Sequence, residues 1–331
     1  MPRYPIGKLP HDRLADLLTR LPPWRSRDVL VGPAVGEDAA ALRVGRHALV
    51  MATDPVTFAT ERAGWYAVHV NANDVATMGA CPRWFQACVL MPSRSRVPVE
   101  SVFDDIASAC RDLGVTVLGG HTEVTAGLEY PVVIGTMLGL TERRRLIRSA
   151  GATVGDVIVL TKWAAIEATA VIARHRGRRI ARSLGRRLVA RASRFLFDPG
   201  ISVVRESLIA TCAGATALHD PTEGGVLTGL WEMAQAARKH FVVDVEAIPV
   251  RRETEAICRH VGIDPLRAIA SGSLLITLPK ERVDGLRRRL RRAGIPATII
   301  GRVDQGAPGL FGPAGQAIPV RARDEIARLF E

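Results

Sequence analysis

The chain contains no apolar run approaching the roughly 20 residues a membrane-spanning helix requires, and its opening MPRYPIGKLPHDR holds no apolar signal core. Both absences point to the cytoplasm. Five cysteines, Cys81, Cys88, Cys110, Cys212 and Cys258, form no CxxC pair and are odd in number, which argues against a disulfide framework and a zinc knuckle alike. Reduced, mostly buried thiols are the reading that remains. Neither GxxxxGK[ST] nor GxGxxG occurs, so a P-loop and a dinucleotide fingerprint are excluded. There is no low-complexity segment and no repeat of 20–50 residues. Lysine is scarce, four against forty-one arginines, a compositional bias that makes each lysine worth inspecting.

What is present is a 331-residue chain with 47% hydrophobic residues, longer than the roughly 250–300 residues at which one core stops growing. Two domains follow. The net charge of +12 raises a nucleic-acid partner, and its distribution decides the reading. Nine arginines lie between Arg174 and Arg194, and 287-RRRLRR-292 adds five. Ile180, Leu184 and Leu188 recur every four residues among the first group, which describes an amphipathic helix with a solvated basic face. No nucleic-acid role is assigned to it, with an anionic partner as the alternative.

Alternation and helical spacing predict strands at 47–54, 84–92, 115–120 and 132–140 with helices at 64–80 and 98–114. Small residues in 149-SAGATVGD-156 mark a boundary, giving domains 1–150 and 151–331. The second half reads as strands at 156–161, 241–247, 273–279 and 297–303. Its helices read as 164–175, 178–196, 201–213, the later part of 219–237, 251–261 and 280–293. Each half is therefore an α/β layer structure.

Acidic residues recur where strands end: Asp38 in 36-GEDAA-40, Asp54 in 52-ATDP-55, Glu123 in 119-GGHTEV-124 and Asp220 in 219-HDPTEGG-225. Asp74 in 71-NANDVATMG-79 lies inside a predicted helix. Strand ends of open α/β sheets collect ligands, and carboxylates without cysteine or histidine pairs suit a hard cation such as Mg2+, which brings phosphates with it. Taken singly, each also reads as a turn or cap residue. Thr222, Gly224 and Gly225 precede a helix, where free amides and the helix dipole could meet phosphate oxygens, or where the glycines satisfy a turn. His121 and His219 read either as acid–base groups or as structural histidines. Lys8 in 5-PIGKLP-10 could reach a transferred phosphate or remain solvated, and Lys162 reads the same way.

In order, GEDAA, ATDP, NANDVATMGA, VLGGHTEV, HDPTEGG and SGSLLI resemble the motif series of the PurM-like, or aminoimidazole ribonucleotide (AIR) synthetase-like, superfamily, over roughly residues 30–305. The likeness is nearest to its HypE-like, hydrogenase expression/formation branch. The resemblance implies a two-domain α/β fold whose acidic motifs line a cleft for ATP and Mg2+, and a homodimer built by the N-terminal domains. It implies Asp38, Asp54, Asp74 and Asp220 as metal or triphosphate ligands. The GGHTE segment, Gly119, Gly120, His121, Thr122 and Glu123, would bring a carboxylate and amides to the same cleft. Asn71 and Asn73 would orient neighbours or contact nucleotide, with Lys8 closing over the phosphates. The implied activity is ATP-dependent phosphorylation or activation of an oxygen on a small molecule or carried amide. A maturation factor acting on a partner's thiol and a nucleotide-binding scaffold are the alternatives. Two departures stand out: no cysteine follows Cys258, where the branch carries one near its C-terminus, and 161-TKWAAIEATA-170 replaces a glycine-containing turn.

Overall fold

The computed structural model describes residues 9, 11–22, 26–34, 36–57, 61–320 and 323–329. They divide into two units. The larger takes Met1–Pro23, with α1 (His11–Leu18), Ala34–Glu37 and Ile147–Glu331; the smaller takes Trp24–Pro33 and Asp38–Leu146. The switch at Leu146–Ile147 lies beside the boundary expected from the small residues, but α1 joins the later unit.

The smaller unit contains β1 (Val29–Val31), β2 (Ala40–Val44), β3 (His47–Val56), α2 (Ala63–Thr77), β4 (Cys81–Pro92), α3 (Val99–Leu113), β5 (Thr116–Thr125) and β6 (Val132–Glu142). Its sheet runs β1-β2-β3-β6-β4-β5, antiparallel except for the parallel pair β4–β5. The alternation read in the sequence is real: Ala48, Val50 and Ala52 of β3 and Val133 and Met137 of β6 are buried. On that face lies α2, buried almost all round. Its close seat depends on glycine. A Cβ at Gly135 would stand 2.6 Å from Asn71 Nδ2, and one at Gly139 2.4 Å from Val75 Cγ1. α3 is amphipathic and ends at Gly114 in the left-handed conformation (φ 67°), the position where glycine closes helices.

β5 departs from expectation. A buried strand followed by a turn is predicted, whereas one strand runs through Thr116–Thr125 at the sheet edge with Thr116–Val124 exposed. The strand carries a bulge at Leu118, where register against β4 shifts between Phe85 and Gln86, and Gly119 and Gly120 just beyond it take φ 137° and 149°. Gly120 has no alternative, because a Cβ there would lie 1.8 Å from the Ala87 carbonyl oxygen.

The larger unit continues with β7 (Asp156–Thr161), α4 (Ile166–His175), α5 (Gly177–Leu184), α6 (Arg186–Ser193), α7 (Val204–Ala213), β8 (Ala217–His219), α8 (Gly225–Ala237), β9 (His240–Val243), α9 (Arg252–Val261), β10 (Leu275–Pro279), α10 (Val283–Arg292), β11 (Ala297–Asp304) and β12 (Gly309–Phe311). Sheet order is β12-β9-β11-β7-β10-β8, with β7 central. Successive residues of β7 serve opposite faces. Ile158 and Leu160 join a core with α8, while Val159 joins one with α7 and α10. A third cluster joins α4, α5, α6 and α9. The single helix expected over 178–196 is two, since Gly185 (φ 84°, ψ 145°) breaks it between α5 and α6. Ile180, Val189 and Ala192 point inward and the arginines outward.

Candidate functional site

In the smaller unit three of the expected acids come to one end of the β2–β3 pair. Ala40 pairs with Met51, so Asp38, two residues earlier, flanks the Thr53–Asp54 end of β3. The Thr77 hydroxyl lies 2.8 Å from the Asp74 carbonyl and 3.3 Å from Asp38 Oδ2, linking α2 to the loop before β2. Asp74 is buried, Asp38 half-buried and Asp54 exposed.

Asn71 fixes the third acid. Its Oδ1 accepts from the Asp54 amide at 2.8 Å, while Nδ2 donates to Ala67 O at 2.8 Å and to Asp54 O at 3.3 Å. That amide is spent on holding β3 to α2, an orienting role. Asn73 is fully buried in the same helix.

Glu123 and His121 lie elsewhere within the unit. The register Asp54–Gly135–Ala87–Gly120 crosses three strand spacings, roughly 14 Å. His121 Nε2 stands 3.2 Å from Glu123 Oε2 on the exposed face of β5, with Thr122 between them on the opposite face.

In the larger unit Asp220 and His219 are buried at the end of β8, and His219 Nε2 lies 3.1 Å from Glu232 Oε2 of α8. The turn that follows is built around glycine. Gly224 and Gly225 take φ 82° and 72°, and a Cβ on Gly225 would stand 2.6 Å from Leu266 O. The Thr222 carbonyl accepts from the Gly225 and Ala270 amides. The Gly224 amide donates to Asp324 Oδ2 at 2.6 Å.

Lys8 lies outside the described residues. Lys162 is buried: Nζ stands 2.8 Å from Glu206 Oε1, outside hydrogen-bonding geometry, and donates to Ser202 O at 2.7 Å and Gly200 O at 3.3 Å. It is a core ion pair, which removes it as a phosphate-reaching lysine.

Two acids escaped the reading of the sequence. Glu167, at the start of α4, is 7% exposed; burial pushes its carboxyl up to about 7, a Ser271 hydrogen bond works against this, and the charges of Asp324 and Glu223 add to it. Asp324 is pushed up to about 6 by burial, opposed by hydrogen bonds with the backbone of Ile326, Gly224 and Ile269. The available signal for Glu167 was a single charge within the otherwise apolar 163-WAAIEATAVIA-173. For Asp324 there was none.

Among the described residues no three histidine, cysteine or carboxylate groups gather as a metal centre. Asp38 and Asp74 nevertheless offer oxygen donors on neighbouring elements, the Thr77 hydroxyl bridging the Asp38 carboxylate and the Asp74 main-chain carbonyl. This suits Mg2+, which takes one or two carboxylates and completes its shell with water and phosphate oxygens.

Comparison with known proteins agrees with this architecture. The chain is 29% identical over 286 residues to carbamoyl dehydratase HypE of Rhizobium leguminosarum bv. viciae, covering 81% of this chain and 77% of that one. AaThiL complexed with AMPPCP and TMP superposes with a TM-score of 0.73 at 20% identity, covering 94% of each chain. The hydrogenase maturation protein HypE in complex with ATP gives 0.67 at 23% identity, covering 89% of this chain and 92% of that one. Residues 36–141 match the N-terminal domain, and residues 153–310 the C-terminal domain, of the AIR synthase related proteins. With one domain matched in each half, the chain belongs to the AIR synthase related family and has its two-domain, PurM-like α/β fold.

Proposed function

We propose that this protein is an ATP- and Mg2+-dependent enzyme that phosphorylates, or otherwise activates, an oxygen of a small molecule or of a carried amide. The observation that supports this reading is the placement of Asp38, Asp54 and Asp74 at one sheet end, cross-linked through Thr77 and Asn71. Thr77 holds the Asp38 carboxylate, and the backbones that carry Asp54 and Asp74 are fixed by Asn71 and Thr77, so the three positions are set without a ligand, the preorganisation that phosphoryl transfer demands. In this reading Asp38 and Asp74 hold Mg2+, with Asp54 beside them. The metal supplies positive charge to the phosphoryl oxygens when bound.

Asp220, Thr222, Gly224 and Gly225 are assigned to anionic groups of nucleotide or acceptor, since the turn opens α8 with its amides forward. Asn73 and Lys8 keep the nucleotide and phosphate roles that the family resemblance implies. The exposed β5 is assigned to a second copy of the chain. Val117, Leu118 and Val124 stand 47%, 54% and 70% exposed on an edge strand, an open template for pairing. A homodimer formed there would carry Gly119, Gly120, His121, Thr122 and Glu123 to its interface, with Glu123 holding the His121 imidazole in place for proton exchange.

A second reading, favoured by the likeness to carbamoyl dehydratase HypE, places the amide on a partner protein's thiol. Burial pushes the Cys110 thiol up to about 11; burial and the Asp264 charge push Cys258 to about 12, so neither serves as carrier. ADP release by the purified chain, titrated with Mg2+ and compared with Asp74→Asn, tests the enzyme reading. Mg2+-dependent turnover that the variant loses by tenfold or more supports it. Tight ATP binding without turnover, with or without a thiol-bearing partner, identifies a scaffold and overturns it.

A further inference from the structure

The turn assigned above to an anionic group already holds one. Asp324 presents Oδ2 to the Gly224 amide at 2.6 Å and Oδ1 to the Ile326 amide at 2.8 Å, with a further hydrogen bond to the Ile269 backbone. A carboxylate from a distant part of the chain thus occupies an amide at the start of the 13-residue α8. The segment that carries it is laid on the surface of the larger unit. Ile326 and Leu329 cover the cluster of α4, α5, α6 and α9, and Arg176 donates to the Leu329 carbonyl. Just before it, Arg267 donates to Pro319 O at 2.8 Å.

The arrangement is electrostatically poor. Glu167 lies behind the turn, nine-tenths buried, and its Oε2 has no hydrogen-bond partner among the described residues. Glu167, Asp324 and Glu223 act on one another as like charges. The nearby cations are engaged elsewhere: Arg328 pairs with Glu325 at 2.8 Å and Arg267 with Asp264 at 3.2 Å. Arg323 and Arg176 flank the segment, the latter bonded to its backbone. Buried carboxyls crowded in this way cost free energy that a permanent structural contact would have no reason to retain.

We propose that the segment Arg323–Leu329 is a releasable strap, in which the Asp324 carboxyl occupies the place of an anionic group of the substrate and leaves when a phosphate or carboxylate takes the Gly224 amide. The inference rests on the assignment of the 222–225 turn made above and adds the regulation of that site. Protons tighten the strap. Asp324 moves from its free value of 3.8 to about 6 on docking, so the docked state takes up a proton. Docking is therefore strongest below pH 4 and weakens as pH rises through 6, by about tenfold between pH 5 and 8 from this group alone.

Inorganic pyrophosphate is the probe, titrated calorimetrically at pH 6 and pH 8 into the full chain, a chain ended after Val320, and Asp324→Ala in case shortening impairs folding. The expected result is about tenfold tighter binding in the altered proteins at pH 6, with a smaller gap at pH 8. Hydrogen exchange of 323–329 should rise in the full chain as pyrophosphate saturates. Equal affinities in all three proteins, no binding to any, or unchanged protection of 323–329 at saturation would overturn the strap. ATP turnover separates the two readings: turnover with equal affinities removes only the strap, and competition without turnover removes only the enzyme.

Discussion

At the scale of single residues, buried polar side chains divide into those that hold the candidate site together and those proposed to serve it. Asn71 is of the first kind, with three hydrogen bonds inside the core. Asn71→Ala is expected to cost about 2–4 kcal/mol by leaving backbone partners unpaired, seen as a lowered melting temperature. Asp74→Asn keeps shape and fold, so its effect should appear in Mg2+-dependent ATP affinity while melting stays near wild type. Lys162 and Glu206 show how a buried pair differs from a reactive one. Lys162→Met alone is expected to destabilise by about 3 kcal/mol because Glu206 is stranded, and Lys162→Met with Glu206→Leu to recover most of that loss. Denaturant titration of the three proteins checks the sign. Glu167 reverses the usual carboxylate trend: its folded value near 7 exceeds the ordinary value of 4.5, so its stability penalty appears above pH 4.5 and is complete above pH 7. Glu167→Gln should therefore raise the melting temperature at pH 8 relative to wild type and leave it nearly unchanged at pH 4. A larger gain at pH 4 would contradict the assignment.

Among the elements, β5 and the α5–α6 pair show opposite uses of exposure. β5 approaches β4 at Gly120 more closely than any Cβ permits, so Gly120→Ala should break the pairing against Ala87. A loss of about 3 kcal/mol or more is expected, read as reduced soluble yield and melting temperature. Gly119, with open space at its Cβ position, carries only the strain of its φ and should be hurt less. α5 and α6 expose Arg178, Arg179, Arg182, Arg186 and Arg187 while burying Ile180, Val189 and Ala192. This is the pattern of a solvated face, and charge alone does not make it a nucleic-acid site. Replacing Arg182, Arg186 and Arg187 by glutamine should leave ATP turnover and melting temperature unchanged. Sub-micromolar RNA affinity at physiological salt, lost in that triple variant, would reverse this view.

For the whole molecule the open question is how many copies make one site. Gly120 lies roughly 14 Å across the sheet from Asp54 and Glu123 stands three residues further along β5, beyond the reach of a shared cation. A second copy pairing at β5 is the arrangement that would give His121 and Glu123 a partner. Val124→Glu, on the 70% exposed side chain, is expected to convert a dimer to monomer in sedimentation and to lower turnover in parallel. A wild-type monomer at micromolar concentration, active and unaffected by this change, would remove the dimer from the account.

Much of the fold was legible in the sequence because the signals are local. Alternation in 47-HALVMATD-54 and 132-VVIGTMLGL-140, and the four-residue spacing in 98–114, depend on which face is wet, and a strand or helix records that in its own residues. The ordered acidic motifs likewise identified the family before any coordinates. Tertiary structure decided what depends on distant partners. The Gly119–Gly120 pair reads as the end of a buried strand, and that the strand runs on exposed, with the Ala87 carbonyl against Gly120, shows only in the fold. Lys162 reads as mobile until Glu206 is found 2.8 Å away, forty-four positions along the chain. Asp324 carries no local mark at all, since what gives it meaning is the Gly224 amide, one hundred residues earlier. Periodicity encodes burial along an element, but the identity of the neighbour that completes a hydrogen bond or an ion pair is fixed only when the chain closes on itself.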